Sequence, residues 1–299
     1  MKAIEIVYRY DASGKAARPR PANADAARHR LEEGSRKILA LLDSLSDGTG
    51  TARHVITPDP RDLGLTPGEN GTPMQRPYAA VLGCSDARVP IELIFNEGPN
   101  DLFVVRVAGN GLGSEVLGSL KYASEHLGES LKLVVVLGHS SCGAVSAAVD
   151  VFQNPKTYLS LASDHELRSI LDRLLIMVHA SAARMQSMFG PEVIGQQGYR
   201  EALIETAIVL NAAFAARTAQ MELGSTDPNG LRAVYGVYML AGRQLWAPRS
   251  GSAECAGLAY PPADSQKLGD FLDRVVQSER IASLLKAMPM TSSADRDPA

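Results

Sequence analysis

Three apolar runs limit what this chain can fold into. YAAVLG (78–83), DLFVVRVAG (101–109) and LKLVVVLG (131–138) carry consecutive large apolar residues without the polar alternation of a half-exposed strand. A strand reads this way when both faces of its sheet are covered, the condition of a parallel sheet under crossover helices. Helical segments fill the intervals: IELIF opened by Pro90, SEVLGSLKYASEHL (114–127) and AVSAAVDVF (144–152). A fourth run, LRAVYGVYML (231–240), follows two long helical patterns at about 165–188 and 198–222. The alternation predicts an α/β fold, an open, mainly parallel β-sheet flanked by helices.

The flanks add to this core. Leu31, Ile38, Leu41, Leu42 and Leu45 recur at near-helical spacing between Asn23 and Leu45, an amphipathic helix. Residues 1–22 and 46–76 are rich in Pro, Gly, Asp and Thr and read as irregular arms. A terminal helix is expected over 265–287, with a frayed polar tail after it. No repeat and no linker between two cores is visible, so one domain is expected over 1–299. Its parts are an N-terminal arm and helix (1–75), a metal-binding core (76–247) with a helical insertion at about 152–200, and a C-terminal segment (248–299).

Composition narrows the function. With 30 Lys+Arg against 33 Asp+Glu, the net charge of -3 gives no footprint for nucleic acid or an anionic membrane. No apolar run approaches the ~20 residues of a membrane span. The N-terminal MKAIEIVYRYDASGK lacks the apolar stretch of a signal peptide. Three cysteines without a leader make no disulfide framework and point to metal binding or catalysis. A cytoplasmic enzyme is expected.

In open α/β sheets ligands collect beyond the carboxyl ends of the strands. The first run ends in Cys84-Ser85-Asp86-Ala87-Arg88 and the third in Gly138-His139-Ser140-Ser141-Cys142-Gly143. Two cysteines and one histidine therefore share one sheet edge. Two thiolates, one imidazole and an open fourth position make a catalytic zinc (Zn2+) site. The bland alternatives are buried structural thiols, a satisfied core histidine, a capping Asp86 before Pro90, and a solvated Arg88.

GCSDARVP (83–90), LFVVRVAGN (102–110) and KYASEHL with VVVLGHSSCGA (121–144) together resemble the β-class carbonic anhydrases. The resemblance runs from Gln75 to Ala148 and thinly to the 231–245 strand, and Asn211 sits in a helix like a later one of that family. It implies zinc on Cys84, His139 and Cys142, and an Asp86–Arg88 dyad in which the fork of Arg88 holds the carboxylate bidentately. It also implies a substrate pocket lined by Gln75, Phe103, Tyr122 and Gly143, partly across a homodimer or higher homo-oligomer interface. The implied activity is reversible hydration of CO2 to bicarbonate. Two other readings stay open: hydrolysis of CS2 or COS on the same site, and a non-catalytic zinc protein that binds a partner.

The chain departs from the family pattern in several places. Ala87 replaces a usual serine, and two extra residues within Gly128–Lys132 precede the His139 strand. Arg106 matches the arginine of a second, inhibitory bicarbonate pocket, but Val81 stands where that pocket has a tryptophan, so no such pocket is expected. Arg106 itself interrupts an apolar strand and calls for a buried partner. Gly109-Asn110-Gly111-Leu112-Gly113-Ser114 is a weak match to a dinucleotide fingerprint, because its third glycine falls on Ser114. Cys255 has no companion and reads as inert, and the remaining histidines lack ligand-like spacing.

Overall fold

The computed structural model describes residues 2–11, 13, 18–46, 49–64, 72–156, 158, 164–224, 230–248 and 256–285. Cys255 and the polar tail from 286 onward lie outside the described residues.

The main sheet has five strands in the order β4-β3-β5-β6-β7: β3 (Ala79–Gly83), β4 (Leu102–Arg106), β5 (Leu133–His139), β6 (Arg232–Tyr238) and the short β7 (Leu245–Trp246). The first four run parallel and β7 is antiparallel. The α/β class with a mainly parallel sheet is therefore observed. Period-two side-chain direction explains why the strands are apolar throughout. Ala80, Leu82, Val134, Val136, Tyr235 and Val237 enter one core, and Ala79, Val81, Leu133, Val135, Leu137 and Val234 enter the other.

On the smaller side lie α1 (Ala24–Asp43), capped by the Asn23 side chain, and the single turn α2 (Ile91–Ile94). The larger side holds α3 (Ser114–His126), α4 (Gly143–Gln153), α5 (His165–Phe189), α6 (Tyr199–Leu223), α7 (Ser265–Gln277) and α8 (Glu279–Leu284). The insertion is a core element rather than an appendage: Leu171, Leu174, Val178, Ala182 and Met185 of α5 are all buried. The terminal segment forms two helices instead of one. Ser278 breaks the run with extended backbone and caps α8 by accepting from the Ile281 N–H.

Two further expectations are corrected. The arms 1–22 and 46–76 contain a parallel pair, β1 (Lys2–Tyr8) and β2 (Gly50–Ile56), joined by α1 as a crossover unit. The alternation of KAIEIVY, with Ile4 and Ile6 inward and Glu5 outward, is the strand signal. A helix of membrane-spanning length and apolarity also exists. The α6 helix has a window of mean hydropathy 1.3, but 83% of that window is buried inside the fold. It is the central helix of the larger layer, pressed against β5 and β6.

The strand order sets the site. From β3 the chain moves to β4 on one side, then returns to β5 on the other, so the direction of winding reverses between β3 and β5. A crevice opens at such a switch point, beyond the carboxyl ends of the two strands. Cys84 follows β3, and His139 ends β5.

Candidate metal centre

The donor atoms of Cys84, His139 and Cys142 all lie within 4.8 Å of one another, and all three residues are buried. The two sulfurs are 4.0 Å apart. A tetrahedral ion with metal–sulfur bonds of about 2.3 Å separates two thiolates by about 3.8 Å, so the spacing fits zinc. The decisive atom is His139 Nε2, which is buried with no hydrogen-bond partner among the described residues. A buried imidazole nitrogen left unpaired is costly unless a ligand takes it. The Nδ1 of the same ring donates to the Ser140 carbonyl at 3.0 Å, which fixes the tautomer and leaves the Nε2 lone pair facing the sulfurs.

Each donor is held by backbone geometry. Cys142 is the N-cap of α4, where helix N–H groups favour a thiolate. Cys84 Sγ accepts the Gly109 N–H at 3.3 Å, and the Gly109 carbonyl accepts from Asn211 Nδ2 at 2.9 Å. Gly109 stands at φ 66, so the glycine of the weak dinucleotide motif is there to turn an amide toward sulfur. In metal-free protein the two thiols would act as one unit. The hydrogen bond from Cys142 draws Cys84 down to about 4, and the same contact holds the Cys142 proton well above the ordinary thiol range.

Beside the cluster, Asp86 and Arg88 form a fork. Arg88 Nε meets Asp86 Oδ1 at 3.0 Å and Nη2 meets Oδ2 at 2.7 Å, while the Arg88 N–H adds a third bond to Oδ1 at 2.9 Å. The Arg88 guanidinium holds the Asp86 carboxyl far below its usual range. Asp86 Oδ2 lies 3.8 Å from His139 Nε2, so the carboxylate borders the cluster while both its oxygens are engaged elsewhere. Among the described residues Arg106 has no ion partner. It braces the loop by donating to the Cys84 carbonyl at 3.0 Å and the Asp86 carbonyl at 2.6 Å, and Val81 is fully buried in the smaller core.

The residues expected to line a pocket are less enclosed. Gln75 and Tyr122 are exposed, Tyr122 stacking on His126, and Phe103 is half-buried against the larger core. Gly143 opens α4 next to Cys142, and a Cβ placed there would meet nothing within 4 Å, so the space beside Cys142 is open. Sequence reasoning missed Gly109 as a donor to sulfur. It also missed Glu205, whose carboxylate accepts the Ser141 N–H at 2.8 Å. A lone acid in the apolar run ALIETAIVL was the available signal.

Residues 79–218 match the family model for carbonic anhydrase, a stretch that contains the three donors, Asp86 and Arg88. Over this stretch the chain is similar to the carbonic anhydrases. Its core is similar to carbonic anhydrase 2 of Mycobacterium tuberculosis, 41% identical over 127 residues, or 42% of this chain and 53% of that one. It is also similar to the carbonic anhydrase of Mycolicibacterium smegmatis, 51% identical over 78 residues, 26% of this chain and 37% of the relative. The chain thus spans about half the length of the first relative, at 53%. Among solved structures it is similar to the β-carbonic anhydrase CafA of Aspergillus fumigatus, at 20% identity and a TM-score of 0.42, covering 85% of this chain and 95% of that one. Gln75, the β1–β2 pair, α7 and α8 lie outside the stretch matched to the carbonic anhydrase family.

Proposed function

We propose that this protein is a zinc carbonic anhydrase that interconverts CO2 and bicarbonate. The observation that carries the proposal is a buried two-thiol, one-imidazole cluster whose His139 Nε2 has no hydrogen-bond partner among the described residues, bordered by a carboxylate that Arg88 keeps ionised.

Cys84, His139 and Cys142 would hold the ion. Zinc bound there would supply a Lewis acid that makes a water nucleophilic near neutral pH. The two thiolates offset the formal charge of the ion, which weakens its pull on water compared with three neutral ligands. Asp86 answers this deficit. Ionised by its fork with Arg88, it can accept a hydrogen bond from the attacking water and aim the oxygen lone pair at the carbon of CO2. Arg88 also keeps the carboxylate from turning onto the ion. His139 adds no proton traffic, because its Nδ1–H is committed to Ser140. Carbon dioxide and water thus become bicarbonate and a proton, with the open side at Gly143 offering space for both.

The substrate pocket, in this reading, is completed by a second copy of the chain. The exposure of Gln75 and Tyr122 and the half-buried apolar face of edge strand β4 support a homo-oligomer, which sedimentation would reveal. A purely structural zinc site is disfavoured: such a site is closed by four protein ligands, and the Arg88 fork holds Asp86 back from becoming the fourth.

Stopped-flow CO2 hydration with metal analysis, before and after chelation, tests the function. About one zinc per chain and activity lost with the metal are expected. Cys142→Ser should lose most of the zinc. A fully metallated, active Cys142→Ser protein would overturn the ligand set, and a zinc-loaded wild type without hydration activity would overturn the reaction.

A further inference from the structure

A residue outside the chemistry grips the metal loop from behind. Ser141 sits between His139 and Cys142 at φ 55, a left-handed conformation that a non-glycine residue keeps only when its surroundings enforce it. Its neighbour Ser140 is tied on both sides: the Ser140 N–H donates to the Tyr238 carbonyl at 3.0 Å, and Ser140 Oγ accepts the Leu240 N–H at 2.9 Å. The Ser141 N–H points the other way and donates to Glu205 Oε1 at 2.8 Å.

Glu205 is 7% exposed and stands among the apolar side chains of α6. Its second oxygen, Oε2, pairs with Arg280 Nη2 on α8. A continuous chain therefore runs from the C-terminal helix, through one buried carboxylate, to the backbone between two donors of the cluster. A cavity of about 950 Å³ adjoins all three members and is lined in part by Ser141, Glu205 and Arg280.

We propose that Glu205 is a positioning residue for the metal centre, with Arg280 fixing its carboxylate. Glu205 supplies the acceptor that keeps Ser141 left-handed, so that His139 Nε2 and Cys142 Sγ face the same point. Arg280 removes the freedom of Glu205 to rotate into the cavity. The C-terminal helix pair, outside the stretch shared with the family, becomes a brace of the site. The cavity also shapes the consequence of losing the carboxylate. Water can enter and solvate the freed Ser141 N–H, so the loop loosens without leaving a buried donor orphaned. The defect should then appear in metal retention rather than in loss of the fold.

The inference rests on the cluster being the metal site. Its test is zinc release from the loaded protein to a chromogenic chelator, together with the visible spectrum of the cobalt-substituted protein, for wild type, Glu205→Ala, Glu205→Gln and Arg280→Ala. Groups that orient metal ligands change affinity by about 10–100-fold when removed, and Glu205→Ala should release zinc faster by at least the lower of these factors. Its cobalt bands should broaden or shift. Glu205→Gln keeps an oxygen for Ser141 but loses the ion pair, so it should match Arg280→Ala, both releasing zinc faster than wild type but more slowly than Glu205→Ala. Wild-type release and spectrum in Glu205→Ala would overturn the proposal. So would a Glu205→Gln protein as impaired as Glu205→Ala. Should Glu205→Ala fail to fold, an Arg280→Ala protein that releases zinc at the wild-type rate would refute the brace. A wild type that takes up no metal would instead condemn the site reading itself.

Discussion

Gly109→Ala tests whether the loop after β4 is shaped for the sulfur of Cys84. Two costs can be worked from the geometry. Gly109 has φ 66, and an L residue in the left-handed region costs about 1–2 kcal/mol. The new Cβ would also stand 2.9 Å from Leu174 Cδ1 and 3.2 Å from Ala144 Cβ, and overpacking a dense core typically costs about 1–3 kcal/mol. Together they predict a loss of roughly 2–5 kcal/mol, a fall in Tm on the order of 10 °C for a chain of this size. Relief of either cost moves the Gly109 N–H, which now lies 3.3 Å from Cys84 Sγ, so zinc retention should fall as well. Gly111→Ala, two residues on, is the control. That position has φ -69 and ψ 132, and a Cβ there meets nothing within 4 Å. Alanine at such a site changes stability by under about 1 kcal/mol and usually raises it. Thermal scans at one protein concentration, with zinc measured on each sample, separate the two variants. If Gly109→Ala melts within a degree of Gly111→Ala and keeps its zinc, the reasoning is refuted.

Two further outcomes follow from the site. Arg88→Ala should keep its zinc but lose on the order of 100-fold in CO2 hydration, because the freed Asp86 no longer orients water; near wild-type turnover would remove the fork from the mechanism. In chelated protein, the Cys84 thiol, lowered to about 4 by its bond from Cys142, binds fewer protons near neutral pH than an ordinary thiol does. Thiolate absorbance should therefore already show one ionised sulfur per pair at pH 6 and lose it only as the pH falls toward about 4. A signal that rises only near pH 8.5, the range of a free thiol, would contradict the pairing.

The sequence alone determined the parallel sheet, because continuous apolar runs such as LKLVVVLG are stable only with both faces covered. It also determined the donor types, since two thiols and an imidazole at strand ends have little other use on one sheet edge. Local signals were enough for α1, α5 and α6, where helical periodicity is long. The β1 strand was legible in the alternation of KAIEIVY, yet its parallel partner β2 lies beyond a whole helix, and pairing across that distance leaves no local mark. Tertiary structure decided everything that depends on residues far apart in the chain. Cys84 and Cys142 meet only because the winding reverses between β3 and β5. Arg106 found backbone carbonyls instead of a charged partner because β4 delivers its side chain to the turn after β3. Glu205 reads in sequence as a misplaced acid in an apolar helix. Its role exists only where α6 passes behind Ser141 and α8 brings Arg280 to its other oxygen, because a hydrogen bond depends on angstrom-scale placement that residue type and spacing do not encode.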